Sequence, residues 1–326
     1  MPNQHYIPAA FIAGFSDDVR TQPPRERVVT VMRSGRTFVT KAGRVAYRSN
    51  LYTLKNPNSI FVSKAGTDPN IVDHSWKRGE SGLPQAIAEV ATSDTQGLKA
   101  QTWLNVVVPF VAQLFVRGPE FEHRYRERLA RTFGDRDDVP IPTIPDHINA
   151  IRLMEWVRIE YGLLLAEWTV LHNRSDHPYI TNDVGYFPIK WNEDATGPSF
   201  FVPLRTDVAV LITPAGTPSV LELSGEQWMV ATSEHLHATD PAGVIPLNGC
   251  IVASCNNEVY GPRAEVLTTA SANVPTPQTI SLEPYSLAIA SPAESQSRVV
   301  RVSDLIRSEP TRSGIQLFDL AVWRNA

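Results

Sequence analysis

The sequence predicts an α+β fold: a central helical bundle with antiparallel strands from the N-terminal and C-terminal parts. Three observations carry this. Two β-branched runs, residues 27–32 and 36–40, flank the short turn Arg33-Ser34-Gly35. Apolar residues between about 98 and 167 recur at helical spacing. From Trp168 to Ile212 the pattern changes to short apolar runs broken by polar loops.

In chain order, Tyr6 to Phe15 reads as a short helix, with Ile7, Phe11 and Phe15 on one stripe. The hairpin follows. Asp68-Pro69 is a helix start, a capping residue ahead of a proline at the first helical position, and Ser81-Gly82-Leu83-Pro84 is a looser one. Leu98 to Val116 is a dense apolar helix. Its most apolar part, Thr102 to Val116, is too short to span a bilayer and contains Asn105, Pro109 and Gln113. Gly118-Pro119 ends that helix and starts another, where Phe121, Tyr125 and Leu129 form a core stripe and Arg124, Arg128 and Arg131 a basic one. Residues 146–167 form the longest helix, apolar on most sides and expected at the centre, after a linker holding Pro140, Pro142 and Pro145. Strands are expected at 168–171, 179–181, 200–204 and 208–212. The stretch 243–260 is ambiguous and reads as a helix from about 246. Residues 1–260 read as one α+β domain, and 261–326, rich in Ser, Thr and Pro, as an extension of loops and short strands packed on it.

Composition narrows the function classes. The chain has 326 residues, 42% hydrophobic and 20% charged, which is ordinary for a cored soluble protein. Lys plus Arg is 30 and Asp plus Glu is 34, a net charge of -4. That argues against a wholly basic nucleic-acid binder, though not against a local basic groove. Two cysteines make neither a disulfide framework nor a Cys-based zinc site, and Cys250 and Cys255 read as small core residues. The first residues lack a basic stretch followed by an apolar core, so no secretory leader is expected and the cytoplasm is the expected compartment. No Gly-x-Ser-x-Gly elbow, phosphate loop or dinucleotide fingerprint is present, so ATP hydrolysis of the P-loop type and Rossmann-type redox are not expected, and the cofactor is left open.

Four sets of residues carry possible chemistry. His5 suits a general base or metal ligand, because imidazole titrates near neutral pH; its plain alternative is a histidine that caps the first helix or meets a buried carbonyl. Asp183 follows a strand and suits a base or ligand, or else caps its own turn with Asn182. Arg117 and Arg124 flank a helix break where guanidinium forks and a helix N-terminus suit phosphate; Glu120, Glu122 and Glu127 could instead neutralise them. His172 and His177 share one loop and His235 and His237 another, weak metal candidates without a known zinc spacing.

The segment Gln4-His5-Tyr6-Ile7-Pro8, with Phe11 and Phe15 behind it, resembles the opening of the bacterial and fungal family called domain of unknown function 4238. Three later stretches are similar to the same family. These are the hairpin with Leu51-Tyr52, Arg117-Gly118-Pro119 after an apolar helix, and Trp168 through Thr181-Asn182-Asp183 to Leu204. The resemblance covers roughly residues 4–260. The family's Thr-Ser-Asp-Asn-Pro stands here as Thr181-Asn182-Asp183-Val184-Gly185, keeping the aspartate and losing the Asn-Pro turn. The family's activity is unassigned, so the resemblance supplies positions rather than a reaction.

The expectation is one site where the His5 segment, the Arg117–Arg124 junction and the Asp183 loop converge. It would hydrolyse a phosphoester or other anionic, nucleotide-like substrate. His5 and Asp183 would do the acid–base work; Arg117, Arg124 and Asn182 would hold the substrate. The alternative is a non-catalytic ligand-binding, sensor or interaction protein. A small-molecule or nucleotide ligand is expected and no membrane; nucleic-acid binding and oligomeric state are left open.

Overall fold

The computed structural model describes residues 3–17, 22–55, 68–80, 82–92, 102–133, 145–164, 166–189, 199–213, 227–230, 233–238, 241–274, 311–312 and 316–319. The N-terminal part supplies β1 (Asn3–His5), α1 (Ala9–Ile12), β2 (Val28–Arg33), β3 (Arg36–Lys41) and β4 (Tyr47–Ser49). The middle supplies α2 (Ile71–Glu80), α3 (Leu83–Thr92), α4 (Val108–Arg117), α5 (Phe121–Phe133) and α6 (Pro145–Leu164). Next come β5 (Glu167–Asn173), β6 (Thr181–Asn182), β7 (Phe187–Ile189), β8 (Ser199–Arg205), β9 (Val208–Thr213), β10 (Gln227–Val230) and β11 (Ser233–Ala238). Last are α7 (Pro241–Ala253), β12 (Glu258–Gly261), α8 (Ala264–Ala272), β13 (Thr311–Arg312) and β14 (Gln316–Asp319). The fold is α+β.

A six-stranded sheet runs β13-β11-β5-β9-β8-β7, and a four-stranded sheet runs β3-β2-β12-β6. Two further pairs, β1-β4 and β10-β14, stand apart. The β5-β11 ladder is parallel; the other pairings described are antiparallel. Alternation along β5, β8 and β9 splits their side chains between two cores. Val170, Val202, Val210 and Ile212 join the core shared with α2, α3 and α4. Leu171, Phe201, Ala209 and Leu211 join a second core with Val244, Leu247 and Ile251 of α7. The strands therefore lie between helical layers, which is why they read as unbroken apolar runs.

The hairpin forms as its sequence dictates. Ser34 and Gly35 both take positive φ, 49° and 76°, the two-residue turn whose twist matches the strands. The central helix is α4, not the longer α6. Every residue of α4 is buried, whereas Met154 and Val157 of α6 are 71% and 64% exposed. At the N-terminus the expected helix shortens to α1 plus one 3-10 turn, Ala13–Phe15, because the residues before Pro8 pair as β1 with β4. Helix α7 begins at Pro241, a favoured first position, and carries Pro246 inside it rather than starting there. Helix α8 occupies part of the stretch expected as loops; Val266, Leu267 and Ala270 join the second core.

Candidate functional site

His5 ends β1 and pairs in register with Tyr47 of β4, whose ring meets the imidazole edge-on at 5.8 Å. Arg117 is the last residue of α4 and is only 2% exposed. Its Nη2 donates to the His5 carbonyl at 2.5 Å, and its Nη1 donates to Gln113 Oε1 at 3.3 Å and to the Glu80 carboxylate at the end of α2. The guanidinium lies over the Trp76 and Tyr52 rings, 5.4 and 5.8 Å from their centroids. A charge so deep is tolerated because it is paired, hydrogen-bonded and stacked. Two nitrogens of this assembly, Arg117 Nε and His5 Nδ1, are buried without a hydrogen-bond partner among the described residues.

Burial lowers the His5 pKa, and the nearby guanidiniums of Arg25 and Arg117 lower it further; Glu80 and the Val45 backbone oppose them. The imidazole is therefore neutral at pH 7 in a setting where cations predominate. A neutral base beside positive charge can take a proton from water while an anion is held nearby. A second buried guanidinium, Arg152 of α6, donates to the Val116 carbonyl and to the Gly118 carbonyl at 2.9 Å, satisfying carbonyls at the C-terminal end of α4. Arg124 is half-buried on α5, where its guanidinium acts on the Tyr186 hydroxyl.

Asn182 and Asp183 are occupied with holding the fold. Asn182 Oδ1 accepts from Val184 N and Gly185 N at 3.0 and 2.7 Å, while Nδ2 donates to Ile251 O and Ser254 Oγ at 2.8 and 2.9 Å. Fully buried and with all four bonds made, its amide has nothing left for a substrate. Asp183 accepts from Asn256 N and Asn257 N at 2.9 and 2.8 Å, fixing the turn into β12. Burial pushes its carboxyl up to about 6 against those bonds, with Glu258 adding repulsion. The lost Asn-Pro turn is replaced by Gly185, which takes φ +85. A Cβ there would stand 2.9 Å from Leu114 Cδ2. Gly185→Ala is expected to cost about 2 kcal/mol in urea unfolding, combining left-handed strain with displacement of Leu114.

The groups acting on His5 are Arg25, Arg117, Glu80 and Val45; those acting on Asp183 are Asn256, Asn257 and Glu258. The two sets share no member. Asp183 instead belongs to a cluster that sequence reasoning missed. Glu258 is buried, takes the Tyr260 hydroxyl at 2.6 Å and pairs with Arg33 directly across the strands. Tyr6, its hydroxyl pKa raised by burial, feels Asp183 and Glu258. Period-two alternation in Glu258-Val259-Tyr260 was the available signal, obscured by reading that stretch as helix. A cavity of about 270 Å3 nearby is lined by Met32, Val252, Cys255, Asn256 and Val259 among others, and by none of His5, Arg117 or Asp183.

The span that places His5 against Arg117 also matches a protein family. Residues 3–141 match the family described as Protein of unknown function (DUF4238). No curated protein and no solved structure matches the chain.

The DUF4238 match holds His5, Arg117 and Arg124 and ends before Asn182 and Asp183. In the DUF4238 span, then, the Arg117 side chain meets the His5 carbonyl and the Gln113 and Glu80 side chains, with Arg25 acting on the imidazole from the side. The weak metal candidates lie elsewhere. His172 is buried in β5, in register with His237 of β11, and His177 is half-buried in the following loop. The side chains of His235 and His237 lie outside the described residues. Among the described residues no three His, Cys, Asp or Glu groups cluster to hold a metal ion. Cys250 and Cys255 are free thiols pushed up to about 12 and about 11 by burial. No described helix is long and apolar enough to cross a membrane.

Proposed function

We propose that the chain is a hydrolase for a small phosphoester or related anion, with His5 as the base that activates water and the guanidiniums of Arg25 and Arg117 as its positive surroundings. One observation carries the reading. His5 Nδ1 and Arg117 Nε are buried and unpartnered on residues joined by a 2.5 Å bond, beside an exposed Arg25. Buried polar nitrogens are normally satisfied, and an anion or its attacking water is a partner that suits both. Glu80, paired with Arg117 and acting on His5, would stabilise the imidazolium formed when the base takes its proton. Asp183 takes no step in this scheme; it holds the turn at 256–257. Free thiols fit residence in the cytoplasm.

His5→Ala is expected to lower phosphoester turnover by about 10²–10⁴-fold while the protein still folds. The wild-type rate should fall on acidification through a pKa below 6.5, since the neutral imidazole is the active form. Arg25→Gln should raise KM more than it lowers kcat. Turnover that survives His5→Ala would end this assignment. Stabilisation by inorganic phosphate without any turnover would select the non-catalytic, ligand-binding alternative.

A further inference from the structure

The stretch from Arg25 to Arg48 differs from the rest of the chain. It contains seven Lys and Arg residues and one acidic residue, Glu26, in a protein whose net charge is -4. The structure spends two of those cations on ion pairs, Arg33 with Glu258 and Lys41 with Glu26. Arg25, Arg36, Arg44 and Arg48 are exposed and form no salt bridge among the described residues. Two aromatic rings are exposed among them, Phe38 at 39% and Tyr47 at 42%.

These groups fall into two sets on one stretch of chain. Arg36 lies directly opposite Arg33 in the hairpin register, and the Arg33 guanidinium sits 5.5 Å from the Phe38 ring centroid. Arg33 also acts on Tyr6, the residue after His5. Beyond His5, Tyr47 meets the imidazole edge-on and Arg25 acts on it. Arg25 in turn packs close to Gly43, next to Arg44. Residues 25–48 thus carry Arg33, Arg36 and Phe38 at the hairpin turn and Arg25, Arg44 and Tyr47 beside His5.

We propose that this surface, residues 25–48, docks single-stranded nucleic acid and presents a backbone phosphate to His5. The inference rests on the reading of His5 as a phosphate site and names its substrate class. Guanidinium forks suit phosphate oxygens, and repeated cations track a backbone that repeats its charge. Exposed rings interleaved with them offer stacking platforms for bases, which only a single strand leaves free.

The test uses the full chain and a short fluorescent oligothymidylate, with anisotropy followed from about 50 to 200 mM salt. Neutralising three arginines (Arg36→Gln, Arg44→Gln, Arg48→Gln) is expected to weaken binding and flatten the logarithmic salt slope by about 2, each lost contact removing about 0.7. Phe38→Ser should weaken binding by about 5- to 100-fold. The same variants should still be stabilised by inorganic phosphate and still turn over a small phosphoester, because His5, Arg25 and Arg117 are intact. An arginine variant that binds the oligonucleotide like wild type overturns the docking surface, even with phosphate binding intact. So does equal binding to phosphatidylserine vesicles. Loss of the inorganic phosphate response in the wild type would instead overturn the His5 reading, and the delivery of phosphate to it.

Discussion

Glu80→Ala is expected to cost about 3–5 kcal/mol of folding stability, more than Arg117→Met, although Glu80 is the more exposed partner. The asymmetry follows from where each charge is left. The side chain of Arg117 is 2% exposed and that of Glu80 is 32%. Without Glu80, a guanidinium remains under the Trp76 and Tyr52 rings with a carbonyl and an amide as its named partners. Neither carries a charge, the remaining acid acting on it is the half-buried Asp73 of α2, and the guanidinium cannot shed its proton. Without Arg117, the Glu80 carboxylate already has water beside it and can turn outward. Methionine then fills much of the vacated volume, and the main loss is the bond to the His5 carbonyl, about 1.5–3 kcal/mol for a charged donor. The double variant should therefore be more stable than Glu80→Ala alone. Urea unfolding of the four proteins closes the cycle. If the two single costs simply add, the buried ion pair is not what holds β1 to α4.

Much of this arrangement was legible in the sequence, and the pattern of what was not has a physical cause. Local rules placed the hairpin, because Ser34-Gly35 between β-branched runs needs no tertiary information. They also placed α4 and the break at Gly118-Pro119, where apolar density and chain punctuation agree. They failed where a tertiary contact decides. Met154 and Val157 lie in an apolar helix that still turns them outward, since α6 packs through residues such as Trp156 and Ile159. Arg117 was legible as a special position but not as a buried one, because nothing near it in sequence announces Glu80, Trp76 or Tyr52. Arg152 was invisible for the same reason: its partners are carbonyls of another helix. The expected single cleft divides between the two sides of the N-terminal segment. Arg117 and Glu80 act on His5, whereas Tyr6 feels Asp183 and Glu258 as well as Tyr52 under the Arg117 guanidinium. Adjacent residues in an extended segment face opposite ways, so one motif can serve two clusters. Asn182 and Asp183 read as functional because polar residues at a strand end usually are. Here both secure the ends of α7 and β12.

That clamp leads to a pH dependence whose sign is opposite to the common one for carboxylates. Asp183 is buried, and its carboxyl is pushed up to about 6, against about 3.9 in an unfolded chain. Between those values the folded protein holds a proton that the unfolded chain has released, so stability falls as pH rises through this window. The contribution is fully present below about pH 3.9 and is lost as pH climbs through 6. Two units of displacement correspond to about 3 kcal/mol. Above the window the ionised group keeps its bonds from Asn256 N and Asn257 N, but faces Glu258 across the ladder, where Asp183 N donates to Glu258 O at 3.0 Å. Asp183→Asn keeps the size and removes the charge, so its stability should not respond to this titration. Subtracting the variant from the wild type at each pH cancels the other titrating groups. The wild-type advantage is expected to shrink by about 2 kcal/mol between pH 4 and pH 7 in urea unfolding. A difference that stays level across that range, or one that grows with pH, would mean that the turn at 256–257 holds an ordinary, well-stabilised carboxylate.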